Sequence, residues 1–316
     1  MTALPRARFA HIGGSGTWAF SYPDGALAGH PHLAVEVVEP GIQVATPFGP
    51  SPSFRLCRLT DRRTGEAHDY LYVWMHGIDP ANPVDAPDRS VRASERVFDV
   101  LARAGVESVL VDNSVGAVAE ELGPWDLVDV ADVVDLSGAV PRPVACGLIR
   151  FRDGLCPRLR AHLAAAVAAD LDHYAGVARA GGAPRPPRFE TGGIYVHTPG
   201  PWFETPAEDR TYRRLGFDVV GKTAGPEFRL ARMYGMCLAI LSIVVNPAEG
   251  LGDFEVADLH AIYRRCGPAV ARIVIAAIAA AARPDPRPCH CAQPGGASLF
   301  AAFARFARHQ GDHGDG

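Results

Sequence analysis

The sequence predicts an α/β fold, a single domain built on a central mixed β-sheet flanked by helices. Three observations predict it. Short apolar, β-branched runs alternate with amphipathic stretches of helical length over most of the chain, the pattern of strands joined by helices in a largely parallel sheet. Hydrophobic residues make up 48% and charged residues 21% of the 316 residues, an ordinary globular composition on a chain long enough to bury a sizeable core. No apolar run reaches the roughly 18 residues that a membrane span needs.

The elements follow in order. "FAHIGGSG" reads as a strand entering a glycine loop and "HDYLYVWMHG" as a second strand, both rich in apolar and aromatic residues. "SVRASERVFDVLARAG" is amphipathic and reads as a helix, "VESVLVDNSVG" as a strand running into a turn, and "DLVDVADVVDL" as a strand. The helix "CPRLRAHLAAAVAADL" is followed by a Pro/Arg/Gly-rich excursion over 178–193, an exposed loop by its composition. "GGIYVHTPGP" is a strand and "PAEDRTYRRLG" a helix that Gly216 stops. "FDVVGKT" is a short strand, and Pro226 suits the first turn of the helix "PEFRLARMYGM". "CLAILSIVVN" is a strand, and a long helix near 255–282 carries the apolar run Ile273–Ala282, too short to span a membrane and best buried. Residues 1–291 form the domain, and 292–316 read as a C-terminal helix and disordered tail.

Net charge is −4, with no basic cluster interleaved with aromatics, so nucleic acid is not an expected partner. The first residues, "MTALPRARFAHIGG", lack the apolar core of a signal peptide; a cytoplasmic location and no membrane partner are expected. Seven cysteines, an odd number scattered through a large chain, do not form a secreted disulfide framework. Of the 31 Lys and Arg residues a single one is lysine, Lys222.

Lys222 lies in "GFDVVGKT", residues 216–223, which spells the phosphate-binding P-loop pattern. The spelling has chemical meaning only where a strand leads into a loop whose N–H groups curl around phosphates and a helix follows. Here the four variable positions are themselves a strand, so no nucleoside triphosphate site is expected.

The glycine turn "IGGSG" (12–16), "TPFG" (46–49), "MHG" (75–77), "DNSVGAVAEELGPWDLV" (112–128), "GPWFETPAEDRTYRRLGFDVVGKTAGPE" (200–227) and "CHC" (289–291) together resemble the purine nucleoside phosphorylase and methylthioadenosine phosphorylase family. The resemblance implies a pentosyltransferase that displaces a purine from C1′ of a ribonucleoside with phosphate, through an oxocarbenium-like transition state. It also implies a homotrimer, or a dimer of trimers, with sites near subunit interfaces. Phosphate is then a co-substrate and no cofactor is needed.

Mapped through the resemblance, Ser15, His76, Asn113, Ser114 and Thr223 would hold the anion. Hydroxyls and the N–H groups of glycine turns suit that task. The alternative reading of Ser15 is an ordinary turn serine, and of His76 a satisfied structural histidine. One position departs from the pattern: where methylthioadenosine phosphorylases read "RHG", this chain has Met75 before His76, so the bidentate guanidinium clamp on phosphate is missing. Lys222 stands where the family has Met beneath the ribose, and as a point cation beside Thr223 it could supply that charge; its other reading is a lysine whose head escapes to solvent.

"GPWFET" matches the form typical of family members that accept 6-oxopurines. Phe203 would present a ring face to the purine, Glu204 would accept from N1–H, and Asn246 would donate to O6 or N7 as charge grows there, with Asn246 and His76 as the catalytic pair. Glu204 could instead be a carboxylate satisfied at a helix N-terminus, and Asn246 a turn residue before Pro247. His260 falls near the histidine that purine nucleoside phosphorylases place at the 5′-hydroxyl. Cys289 and Cys291 resemble the CxC of archaeal members, where it can form a disulfide. A metal is not expected there, since two sulfurs and His290 on three residues are too few ligands and nothing adjacent in sequence adds more. Two other readings stay open: a relative with a different nucleophile or an anionic substrate, and a nucleoside-binding protein without turnover.

Overall fold

The run Cys237–Pro247 is buried along nearly its whole length, and such a continuous apolar strand belongs at the centre of a sheet covered on both faces. In the computed structural model, which describes residues 4–78, 89–142, 149–285 and 288–292, it does. In chain order the strands are β1 (Phe9–Ile12), β2 (Leu33–Ile42), β3 (Ala45–Thr46), β4 (Gly49–Pro50), β5 (Phe54–Asp61), β6 (Ala67–Val73), β7 (Ser108–Ala117), β8 (Leu127–Asp135), β9 (Phe189–His197), β10 (Val219–Gly221) and β11 (Cys237–Pro247). The helices are α1 (Ser15–Trp18), α2 (Arg89–Ala104), α3 (Pro157–Ala180), α4 (Pro206–Arg214), α5 (Ala224–Met233) and α6 (Val256–Ala281).

Nine strands form one mixed sheet in the order β10-β9-β8-β11-β7-β1-β6-β5-β2, and β10 pairs with β7 as well as β9. That extra pairing closes β7, β11, β8, β9 and β10 into a ring. Two apolar layers sandwich the sheet. On one side α3 and α6 pack through Leu159, Leu163, Val270, Ile273 and Ile275; on the other, α2 and α5 pack through Val97, Phe98, Leu101 and Leu230. Gly267 lets α6 press onto α1, because a Cβ there would lie 2.4 Å from the Gly16 carbonyl oxygen.

The structure departs from the sequence reading in three places. The stretch from β2 to β6 is an antiparallel meander, so the sheet is less parallel than the strand–helix alternation implied. "NSVG" is not a turn but lies inside β7. The exposed excursion shrinks to 181–188, because α3 and β9 extend into it from either side. The expected tail falls, from residue 293 onward, outside the described residues.

Candidate active site

The carboxyl ends of β1, β6, β7, β9, β10 and β11 converge on a cavity of about 470 Å³ that Ser15, His76, Ser114, Glu204, Lys222 and Asn246 help to line. Strand ends are where open α/β sheets present their ligand sites.

One end is built on Asp112, a fully buried carboxylate of β7. It accepts from the Gly14 backbone N–H (3.1 Å) and the Thr17 hydroxyl (2.9 Å), and it pairs with His11 Nε2 (2.8 Å). These bonds pin the glycine turn onto β7 so closely that a Cβ on Gly14 would sit 2.6 Å from the Asp112 carbonyl oxygen. Ser15 is thereby delivered to the cavity. There the Tyr263 hydroxyl donates to Ser114 Oγ (3.3 Å), Ser114 Oγ donates to Ser15 Oγ (3.4 Å), and Ser15 Oγ approaches the sulfur of Met75 at 3.9 Å. Thr223 caps no N–H of α5 with its side chain and lines the same cavity.

Met75 and His76 both adopt left-handed backbone conformations, with φ of 49° and 54°, which non-glycine residues take at a cost of order 1–3 kcal/mol. The His76 N–H bonds to the Gly13 carbonyl (2.9 Å), and its Nδ1 lies 2.7 Å from Glu227 Oε1 of α5. Burial disfavours a charged imidazole, but the Glu227 carboxylate outweighs it and raises the His76 pKa above the ordinary histidine value. With Nδ1 committed to Glu227, Nε2 is the nitrogen left for a ligand, and it donates when the ring is protonated.

At the other end, Thr205 and Glu208 form a capping box at the start of α4, so Glu204 does not cap that helix. The buried Glu204 Oε1 instead accepts from the Thr198 hydroxyl and the Lys222 ammonium, and Lys222 Nζ also donates to Thr198 Oγ1 at 2.8 Å. Oε2 receives no bond from the described residues. Asp209 of α4 lies behind this group; burial first, and the Glu204 charge second, push its carboxyl up to about 7. Phe203 is 52% exposed at the cavity mouth, edge-on to Phe254 with centroids 6.2 Å apart. A bulge in β11 between Val244 and Asn246 turns Asn246 into the cavity lining, a common use of bulges beside sites. Its amide donates to the neighbouring Pro247 carbonyl at 2.6 Å.

Of the residues singled out in the sequence, Ser15, His76, Ser114, Phe203, Glu204, Lys222, Thr223 and Asn246 share this cavity. Asn113 does not. It faces away on β7, buried, with Oδ1 accepting from the Ser242 hydroxyl at 2.6 Å, because alternate residues of a strand point to opposite faces. His260 is exposed on α6, its ring 6.4 Å from that of Tyr263, and is not in the lining. Lys222 is directed at Glu204 rather than held beside Thr223 as an anion ligand. The sequence reading of Cys289 and Cys291 as short of further ligands is also corrected, since the fold brings Cys156 and Cys237 beside them. Asp112, Glu227, Thr198 and Tyr263 are not singled out by the sequence. The first two lie inside quoted motifs, Asp112 directly before "NSVG" in β7 and Glu227 at the end of "AGPE" in α5.

The family model described as Phosphorylase superfamily matches residues 25–279. The chain is 33% identical over 204 residues to the 6-oxopurine nucleoside phosphorylase of Pyrococcus furiosus, covering 60% of this chain and 71% of that protein. It is 32% identical over 250 residues to the S-methyl-5'-thioadenosine phosphorylase of Gloeobacter violaceus, covering 77% and 72%. Among solved structures, a methylthioadenosine phosphorylase from an antarctic soil metagenomic library superposes with a TM-score of 0.66 at 20% identity, over 92% of this chain and 91% of that one, a likeness of fold. With this family model matching residues 25–279 of the 316, the chain belongs to the phosphorylase superfamily.

Proposed function

We propose that the enzyme cleaves the N-glycosidic bond of a 6-oxopurine ribonucleoside with inorganic phosphate. A phosphate oxygen bonds to C1′ as the C1′–N9 bond breaks, and the bond pair leaves with the base. The observation that carries this reading is the two-ended cavity, with hydroxyls and an imidazole at one end and a carboxylate and an amide at the other.

At the first end, Ser15, Ser114 and Thr223 donate to phosphate, and His76, held by Glu227 with Nε2 outward, adds positive charge. This imidazole takes over part of the work of the guanidinium that Met75 replaces. At the second end, Lys222 offsets the charge of the buried Glu204, and because the bonds from Lys222 and Thr198 both fall on Oε1, Oε2 is able to accept N1–H of hypoxanthine or guanine. A 6-aminopurine has no N1–H, and leaving that oxygen unpaired on binding would cost about 1–3 kcal/mol. Asn246, released from Pro247, donates to O6 or N7, where negative charge grows in the transition state. The match to a relative named 6-oxopurine nucleoside phosphorylase supports the same assignment.

Met75 favours one second reading, in which water replaces phosphate as nucleophile. Incubation with inosine, guanosine, methylthioinosine and adenosine, with and without phosphate, separates the two. Free base and sugar phosphate are expected from the 6-oxopurine nucleosides only when phosphate is present. Equal cleavage without phosphate would establish hydrolysis, equal turnover of adenosine would overturn the base assignment, and binding without any cleavage would mark a nucleoside-binding protein.

A further inference from the structure

We propose that Cys156, Cys237, Cys289 and Cys291 bind one Zn²⁺ in a closed, all-thiolate tetrahedral site remote from the cavity. The four sulfurs come from three separate parts of the fold and lie within 4.8 Å of one another. Cys237 Sγ and Cys289 Sγ are 3.7 Å apart. A zinc ion with Zn–S bonds of about 2.3 Å sets its sulfurs roughly 3.8 Å apart along each edge of the tetrahedron, whereas a disulfide needs about 2.05 Å. The cluster therefore has the spacing of a ligand set around an ion.

Backbone hydrogen bonds and close contacts set the four cysteines in place. Cys156 precedes α3, and its N–H bonds to the Leu238 carbonyl at 3.0 Å, setting it beside the first residue of β11. The Cys237 N–H bonds to Glu107 O at 2.9 Å. After α6 the chain returns so that Ala292 and the Cys291 carbonyl lie against Gly235, while His290 pairs with Asp153 at 2.9 Å and so faces away from the sulfurs' shared centre. Cys156, Cys237 and Cys291 are buried, and the partly exposed Cys289 offers a way in.

Four soft sulfur donors in a tetrahedron select zinc over the oxygen-seeking cations, and four protein ligands leave no open position for substrate. Binding replaces four S–H protons, which pass to solvent, and leaves a complex of charge −2 without any change of oxidation state. Arg158 meets that charge: its Nη2 donates to Cys237 Sγ at 3.4 Å, the kind of outer hydrogen bond that tunes metal affinity. Asn246 lies nine positions along β11 from Cys237, about 30 Å of strand, so the ion would brace the fold and take no part in chemistry at the cavity.

The test is metal analysis of the full chain, produced without a histidine tag in zinc-supplemented medium. One zinc per chain is expected, released to a colorimetric chelator when the four thiols are modified. Cys156→Ser and Cys289→Ser should lose it, Cys57→Ala should keep it, and Arg158→Ala should weaken it about 10–100-fold. Should the serine variants fail to fold, wild type stripped and reloaded with Co²⁺ should show the visible bands of tetrahedral cobalt–thiolate. A purified chain that carries no zinc and takes up neither ion, or one whose intact mass shows these cysteines joined as disulfides, would overturn the site. These readouts need no turnover and do not depend on the phosphorylase assignment.

Discussion

Lys222 shows how far a single residue's role depends on its neighbours. In sequence it stands next to Thr223, and its charge looks available to an anion. In the fold its ammonium joins Glu204 and Thr198, 18 and 24 residues away. Lys222→Met should therefore weaken the nucleoside side of the reaction: an apparent nucleoside KM raised roughly tenfold, the value of one charge-assisted hydrogen bond, with phosphate KM within about threefold. Steady-state kinetics varying each substrate in turn gives the answer. A selective rise in phosphate KM would instead restore the anion-ligand reading. The site residues legible in advance were those on quoted motifs, because a glycine turn or a strand end declares its own exposure. Their partners were not legible, since His76 and Glu227 are 151 residues apart and nothing local in either segment names the other.

At the level of elements, the His76–Glu227 pair joins α5 to the tight turn after β6, and its contribution should depend on pH. The folded state raises the His76 pKa, so folding takes up proton affinity there. The resulting stabilisation is fully present below the unfolded histidine value of about 6.5 and is lost as pH rises through the higher folded value. Glu227→Gln should thus lower the unfolding midpoint at pH 6 and converge on wild type in alkali, and its phosphate KM should begin to climb at a lower pH than wild type's. Thermal melts from pH 5.5 to 9 test the first part; a difference between the two proteins that is constant across that range would remove the charge from the account. The helices and buried strands could be read from periodicity because packing enforces one apolar face. β2 and β5 could not: Glu36, Glu39 and Pro40 interrupt the apolar run of β2, and Arg55 and Arg58 that of β5. The four-cysteine cluster was hidden for a related reason, as Cys156 and Cys291 meet only once α6 has returned the chain to the start of β11.

For the whole molecule, opening of the sheet should be graded from its centre outward. Hydrogen exchange followed by mass spectrometry is expected to find β7 and β11 slowest and β2 fastest, with β10 well protected despite its three residues. Exchange of β10 as rapid as that of β2 would contradict the double pairing of β10 with β9 and β7. That double pairing also decides how the sheet can meet other chains. A strand bonded on both sides offers no row of open N–H and C=O groups, so the end of the sheet beside the cavity is sealed against strand addition. At the other end of the large sheet β2 is bonded to a neighbouring strand on one side only. It is a poor template: two register irregularities break its pairing, and Glu36, Glu39 and Pro40 add charge and a missing donor, features that discourage edge-to-edge growth. The sheet is therefore a poor seed for edge-to-edge aggregation of this chain.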